Sequence, residues 1–245
     1  MLNYNTFILA SKSWREAIKM DNRLEGKTLG IIHAAAITID AMKPFIARYI
    51  PEVSIMNLAD DTIQRDNIAA GAGVIPKRNY YKFAQYAHNL EEAGVNAILL
   101  ACSTFNYAAE LGRPMINVPI EQIDRPMMEC AVNTGERIGL LATLATTVPS
   151  SERLLDIVAA RAGKRITRKT VLAEAAFEAY LKHDIALHNR ILLDEIDKLS
   201  KEVDVIAMAQ LSMSALAPEI KGVAVPVLNS GDTGFARVRE MLMNC

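Results

Sequence analysis

One cysteine stands where the chain could present a reactive thiol. Cys102 ends the apolar run AILLAC and is followed by Ser103 and Thr104, before a segment that we expect to begin a helix. Free N–H groups and the positive end of the helix dipole would favour the thiolate, against an unperturbed thiol pKa of about 8.5. A thiolate there could act as a proton base or a nucleophile. The alternative is a buried, inert cysteine at a strand end.

Hydroxyl and imidazole groups follow two other apolar runs. Thr143 ends the run RIGLLAT, and Thr146 and Thr147 follow it before a predicted helix, so their hydroxyls and nearby N–H groups could hold a carboxylate. A threonine there could also simply cap the helix. His33 lies near the end of the run LGIIHA in the other half of the chain, and either a ligand contact or a structural role is consistent with that position.

The remaining cysteines and histidines predict no further site. Cys130 lies in an amphipathic stretch and Cys245 is the last residue, and the three cysteines lack the spacing of metal ligands. We expect His183 and His188 at the surface. No glycine-rich phosphate motif occurs, so the sequence predicts neither a bound metal nor a nucleotide cofactor.

Short apolar runs alternate with longer amphipathic segments along most of the chain. Such alternation is typical of βαβ units and predicts an α/β fold with mainly parallel sheets flanked by helices. Helical spacing is clearest over residues 78–93, 150–162 and 184–203. The predicted strands are LGIIHA (29–34), VSIMNL (53–58), AILLAC (97–102), MINVPI (115–120), RIGLLAT (137–143), DVIAMAQ (204–210) and GVAVPVL (222–228).

An internal repeat organises these runs into two halves. LGIIHAAAIT and IGLLATLATT start 109 residues apart, at Leu29 and Ile138. Two later pairs of strands follow in the same order, with Cys102 opposite Gln210 at a spacing of 108 residues. The repeat predicts two pseudosymmetric α/β lobes. Because ligands bind beyond the carboxyl ends of parallel strands, we expect the active site in the cleft between the lobes.

The repeat also suggests a division of the chain. We expect residues 28–122 and 222–245 to form the first lobe and residues 123–221 the second. Residues 1–27 would be an N-terminal extension, in which Ile8, Trp14, Ala17 and Ile18 could form a packing helix.

Composition excludes several classes of protein. With 27 Lys and Arg against 28 Asp and Glu, the net charge of −1 argues against binding to nucleic acid. No apolar run is long enough to cross a membrane, and the first residues do not read as a secretion signal. We therefore expect a cytoplasmic protein that binds no membrane. Eleven methionines make a homodimer or higher homo-oligomer the default expectation.

Three segments resemble the Asp/Glu/hydantoin racemase superfamily. They are AILLACSTFN, GLLATLATT and DVIAMAQLSM, and the resemblance extends over about residues 28–235. It implies two pseudosymmetric lobes with proton transfer between two thiols on opposite faces of a small carboxylate, without a cofactor. The first thiol corresponds to Cys102. The second position is occupied by Gln210, which does not titrate, and the next two residues are Leu211 and Ser212.

These observations predict a cofactor-independent racemase or isomerase of a small carboxylate. Cys102 would be base or nucleophile, Gln210 would position the substrate, and Ser212 or His33 could supply a missing proton donor. The expected carboxylate-binding residues are Ser103, Thr104, Thr143, Thr146 and Thr147. Two other interpretations stay open: a decarboxylase that resembles arylmalonate decarboxylase in using one thiol, and a non-catalytic protein that binds a small acid. Nucleophilic isomerisation, as in maleate isomerase, is a further form of the first.

Overall fold

The structure, a computed structural model, describes residues 22–245. The N-terminal helix expected from Ile8, Trp14, Ala17 and Ile18 lies outside the described residues. The described part of the chain opens with a short 3-10 helix, Asn22–Leu24, whose Leu24 is buried in the core beneath the first sheet. None of the helices among residues 22–245 is both long and apolar enough to cross a membrane.

The first sheet has four parallel strands in the order β2-β1-β3-β4. Its strands are β1 (Thr28–His33), β2 (Ser54–Ala59), β3 (Ala97–Leu100) and β4 (Ile120–Gln122). The accompanying helices are α1 (Thr38–Tyr49), α2 (Asp61–Ala70), α3 (Lys77–Glu92) and α4 (Tyr107–Gly112), followed by a 3-10 turn at Arg113–Met115.

The second sheet repeats this arrangement, with four parallel strands in the order β6-β5-β7-β8. Its strands are β5 (Arg137–Ala142), β6 (Thr167–Leu172), β7 (Val205–Met208) and β8 (Val227–Asn229). The helices are α5 (Arg125–Thr134), α6 (Val148–Arg161), α7 (Glu174–Leu181), α8 (Ile185–Ser200) and α9 (Ser230–Met243), with a 3-10 segment at Leu211–Glu219.

The identical strand order confirms the predicted α/β fold with two similar lobes. Corresponding strands begin at Thr28 and Arg137, at Ala97 and Val205, and at Ile120 and Val227, close to the spacings of the sequence repeat. The order also explains why the inner strands are continuously apolar. β1, β3, β5 and β7 lie between neighbours and under helices, so almost every side chain along them is buried.

The longer helices bury one apolar face each against a sheet. In α3 the buried positions Phe83, Ala87 and Leu90 recur every three or four residues, as they do for Leu192, Ile196 and Leu199 in α8. These side chains belong to the apolar clusters that also contain the inner strands. Burial of these faces therefore positions the strand ends from which the site is built.

Prolines shorten two of the expected strands. The sequence predicts a strand over 115–120, but pairing begins at the carbonyl of Pro119, which accepts from the N–H of Ile98, and the strand runs over Ile120–Gln122. In the second sheet Pro226 accepts from Ile206 in the same way, before β8. Proline has no N–H to donate to a strand ladder, so regular pairing starts after it.

The C-terminal segment 222–245 contributes to both halves of the molecule. Its strand β8 pairs with β7 of the second sheet. Its helix α9 buries Phe235, Val238 and Leu242 in a core of the first lobe, together with Leu29 and Phe45. The chain thus crosses from one lobe to the other at residues 229–230, next to the carboxyl ends of the strands.

Candidate active site

Cys102 is the second residue after β3, in a turn that leads to α4. Its side chain is half-buried, and burial raises the pKa of the thiol to about 12. The backbone N–H groups of Phe105 and Thr104 lower this pKa, as the sequence predicts, whereas the negative charge of Asp124 raises it. The sequence favours a thiolate, but burial outweighs the turn N–H groups and Cys102 is a thiol at neutral pH.

Gln210 occupies the equivalent place in the other lobe, two residues after β7. Its buried side chain is oriented by Thr143: Oε1 accepts from the Thr143 backbone N–H (2.6 Å) and from its hydroxyl (3.0 Å). Because a backbone N–H can only donate, these bonds fix Oε1 toward Thr143. The Nε2 group has no partner among the described residues and remains available as a donor.

The other two threonines of the β5–α6 loop differ in their partners. Thr147 is buried, with its hydroxyl 3.2 Å from that of Thr104 in the first lobe. The Thr146 hydroxyl is sealed from solvent and has no hydrogen-bond partner within residues 22–245. A buried hydroxyl without a partner is unusual in a folded protein.

A second polar contact joins the same two loops. The Asn106 amide donates to the Ser150 carbonyl (3.4 Å), and the Ser150 hydroxyl donates to Asn106 Oδ1 (3.1 Å). The Arg153 guanidinium carbon lies 3.5 Å from the centre of the Tyr107 ring, a cation–π contact. The turn that follows Cys102 is therefore in direct contact with the second lobe, at the loop that orients Gln210 and at the start of α6.

The imidazole of His33 is engaged inside the first lobe. It is fully buried, with Nδ1 2.7 Å from the Thr38 hydroxyl and Nε2 2.8 Å from Asn57 Oδ1. Burial lowers its pKa, and the Asn57 bond only partly offsets this. Both ring nitrogens thus hold β1 to its neighbours, whereas Ser212 is exposed in the 3-10 segment after Gln210.

Asp124 is a site residue that sequence reasoning does not single out. It is fully buried, two residues beyond β4, and burial raises the pKa of its carboxyl to about 6 although the hydroxyls of Ser103 and Ser230 lower it. The signal present in the sequence is its distance from the strand end, which equals that of Cys102 from β3. The repeat, however, predicts that the second lobe begins at residue 123. Asp124 is therefore not expected at the end of a strand of the first sheet.

The histidines and cysteines outside the cleft fill structural positions. The sequence predicts His188 at the surface, but it is buried, with Nδ1 bonded to the Ala176 carbonyl and its ring packed on Tyr180. His188 lies on the face of α8 that packs against α7, and this contact buries it. Cys130 is half-buried and Cys245 is exposed. Residues 22–245 contain no group of three or more His, Cys, Asp or Glu side chains that could hold a metal ion.

Comparison with known proteins identifies the family. The family model described as Asp/Glu/Hydantoin racemase matches residues 51–238. The chain belongs to the Asp/Glu/hydantoin racemase family. This match confirms the resemblance seen in the three sequence segments, and it includes both Cys102 and Gln210.

Solved structures of racemases share the fold of this family member. Aspartate racemase from Picrophilus torridus is 17% identical, with a TM-score of 0.65 over 89% of this chain and 94% of that one. Allantoin racemase from Klebsiella pneumoniae is 16% identical, with a TM-score of 0.67 over 89% and 88%. Glutamate racemase from Thermus thermophilus, solved with beta-chloro-D-alanine, is 18% identical, with a TM-score of 0.66 over 89% and 81%. Among curated protein sequences none matches significantly.

Proposed function

We propose that this protein is a cofactor-independent racemase or isomerase of a small carboxylate, with Cys102 as the group that exchanges a proton with the substrate. The proposal depends on one observation above all. A titratable thiol and an oriented amide stand at equivalent strand ends of two lobes whose loops touch, in a fold shared with racemases of small acids.

The polar groups of the second lobe suit the substrate carboxylate. Gln210 Nε2 and the Thr146 hydroxyl, which have no partner within residues 22–245, are donors, and the hydroxyls of Ser103 and Thr104 from the first lobe and of Thr147 could add to them. Donors held in place before the reaction stabilise charge without reorganising. When a proton leaves the carbon next to a carboxylate, negative charge spreads onto the carboxylate oxygens, where these donors would act.

Solvent deuterium exchange tests the proposal across many candidate substrates at once. A panel of small amino and hydroxy acids would be incubated with the protein in D₂O, and deuterium at the α-carbon measured by NMR. We expect exchange with at least one acid, reduced by about 10²-fold or more in Cys102→Ser because a positioned acid–base group contributes about 10²–10⁴-fold.

The matched control is Cys130→Ser, which removes a half-buried thiol outside the cleft and should leave exchange unchanged. Exchange that survives in Cys102→Ser, or that is absent with every acid in the panel, contradicts the proposal.

One observation favours a second candidate, decarboxylation with a single proton donor. The Cys102 thiol is protonated at neutral pH, and Gln210 cannot supply a second titrating group. In this reaction the bond from carbon to one carboxylate breaks, its electron pair stays on carbon as an enediolate, and CO₂ leaves. The Cys102 S–H proton then adds to that carbon, and the thiolate recovers a proton from solvent.

Release of CO₂ from disubstituted malonates separates the two candidates. A decarboxylase with one thiol should release CO₂ and give mainly one enantiomer of the product, because the proton arrives from one face. Cys102→Ser should abolish this release. A protein that exchanges α-protons but leaves malonates intact is a racemase or isomerase, and one that binds acids without either reaction is a non-catalytic binding protein.

A further inference from the structure

Asp124 is a buried carboxylate that structural bonding does not account for. The residue is fully buried, and neither oxygen has a hydrogen-bond partner of ordinary geometry within residues 22–245. A buried carboxylate without such partners costs free energy relative to an apolar side chain of similar size. Groups of this kind in clefts often serve function rather than stability.

Charged groups on the surrounding elements are engaged with one another and not with Asp124. They lie on α4 and the turn after it, on β4, and on the helices α5 and α9 that begin beside Asp124. Their ion pairs are Arg125 with Glu110 and Glu129, Arg113 with Glu110 and Glu121, Arg237 with Glu121, Glu129 and Glu240, and Asp232 with Arg48. The negative charge of Asp124 raises the pKa of the Cys102 thiol.

Strand register explains why these two residues are coupled. Leu100 pairs with Gln122 at the ends of β3 and β4, and the Ile123 N–H continues the ladder to the Leu100 carbonyl (3.1 Å). Continuing this register by two residues places Cys102 level with Asp124. The two side chains therefore follow adjacent strands at the same edge of the sheet.

Helix α9 closes the other side of Asp124. A Cβ added to Gly234 would lie 2.8 Å from the Ile123 carbonyl, so this glycine allows the helix to pack directly on the residue before Asp124. The same helix begins with Ser230, whose buried hydroxyl also lacks a partner of ordinary geometry among the described residues. The carboxylate is thus enclosed between Ser103 of one lobe and Ser230 at the crossing between lobes.

We propose that Asp124 is a positioning residue for Cys102, and that its carboxylate charge adds to burial in holding the proton on the Cys102 sulfur. When Asp124 ionises, its proton passes to solvent and the site holds one negative charge. Loss of the thiol proton would then create a second negative charge beside it. Cys102 consequently starts the reaction as a proton donor, which is the role that the second candidate, decarboxylation, requires of it. That last step rests on the proposed function, whereas the coupling itself needs no substrate.

The pH profile of Cys102 alkylation tests the coupling. Iodoacetamide reacts with the thiolate, so the rate reports how readily the thiol ionises. Rates would be measured between pH 4.5 and 9 by mass spectrometry of the Cys102 peptide, with the exposed Cys245 as internal reference. We expect the Cys102 profile to rise, flatten near pH 6 where Asp124 ionises, and rise again. A profile without this break overturns the proposal.

Two variants assign the break to Asp124. In Asp124→Asn it should disappear, and alkylation above pH 7 should be about tenfold faster, since a neighbouring like charge raises a pKa by about one unit or more. Ser230→Ala should move the break to higher pH, because the hydroxyl that lowers the Asp124 pKa is gone. This second variant decides the matter if Asp124→Asn does not fold. A break that persists in Asp124→Asn, or stays in place in Ser230→Ala, overturns the proposal.

These outcomes are independent of the proposed function. If the break behaves as expected but no acid exchanges deuterium, the Cys102–Asp124 coupling stands and the racemase proposal fails. If exchange depends on Cys102 but no break is seen, the reaction stands and Asp124 has no part in the ionisation of the thiol.

Discussion

At the scale of single residues, the site is asymmetric where the fold is symmetric. Cys102 and Gln210 stand at equivalent strand ends, but one titrates and the other is held as a hydrogen-bond donor by Thr143. Only one of these two positions therefore carries a group that can titrate. Gln210 thus marks the difference between this chain and a symmetric arrangement of two thiols.

Replacing the amide by a thiol tests how far this single residue determines the chemistry. We expect Gln210→Cys to raise α-proton exchange by about tenfold or more, because a positioned acid–base group contributes about 10²–10⁴-fold. Deuterium incorporation into both enantiomers of an active acid would be the measurement. The change also leaves the buried Thr143 N–H unpaired, at a cost of about 1–3 kcal/mol, so assays belong well below the melting temperature.

The control for this exchange is Gln210→Ala, which removes the amide and adds no thiol. Gln210→Ala should catalyse α-proton exchange more slowly than the original protein. If Gln210→Cys is no faster than Gln210→Ala, the cleft does not bring position 210 within reach of the substrate carbon.

At the scale of elements, a glycine in an inner strand of each sheet allows a helix to pack close to that strand. Gly30 in β1 and Gly139 in β5 occupy equivalent positions of the repeat. A Cβ added to Gly30 would lie 2.8 Å from Leu90 Cδ1, and one added to Gly139 would lie 2.8 Å from Leu199 Cδ2. The absent side chains let α3 and α8 pack directly over the strands.

Filling this space should destabilise the second sheet. We expect Gly139→Ala to lower the free energy of unfolding by about 1–3 kcal/mol, as overpacking in a core does. Urea unfolding followed by circular dichroism measures it. Leu199→Ala provides the control: in that background the glycine substitution should cost clearly less, because the clashing methyl group is gone. Equal costs in both backgrounds would mean that Leu199 is not the obstacle.

The sequence predicts inner elements better than edge elements. β1, β3, β5 and β7 are continuous apolar runs because both faces of these strands are buried, and a run of that kind is visible without a structure. β6 is not predicted because it is an edge strand with exposed Arg168 and Lys169, so it shows no apolar run.

The same difference between inner and edge strands decides which residues of the candidate site can be predicted. Cys102 and Gln210 can be found from the repeat, since each follows an inner strand. Asp124 cannot, because its strand is only three residues long and follows Pro119, so nothing in the local pattern marks where the strand ends. Ser230, whose hydroxyl lowers the pKa of Asp124, is more than 100 residues away along the chain. That proximity arises only from the packing of α9 on the first lobe.

At the scale of the whole molecule, two lobes with separate apolar cores meet through polar contacts at the cleft. The described cores are confined to one sheet each, apart from α9 and the segment after Gln210, which join the first lobe. The polar contacts between the lobes include the Asn106–Ser150 bonds, the Thr104–Thr147 contact and the ion pair of Glu110 in α4 with Arg161 at the end of α6. Polar contacts of this kind are individually weak, so they can break and re-form without unfolding a lobe.

Access to Cys102 should therefore depend on the contact between Asn106 and Ser150. Asn106→Ala removes both side-chain bonds, and we expect Cys102 to be alkylated up to about 30-fold faster at any fixed pH, since each hydrogen bond contributes about 1 kcal/mol net and about 1.4 kcal/mol is a factor of ten. The break near pH 6 should stay, because the charge of Asp124 is untouched. Ser150→Ala is the graded control: it keeps the bond from the Asn106 amide to the Ser150 carbonyl and should have a smaller effect. Equal rates in Asn106→Ala and the original protein would show that these loops do not govern access, and a lost break would show that the loop contact and the Asp124 charge are not separate.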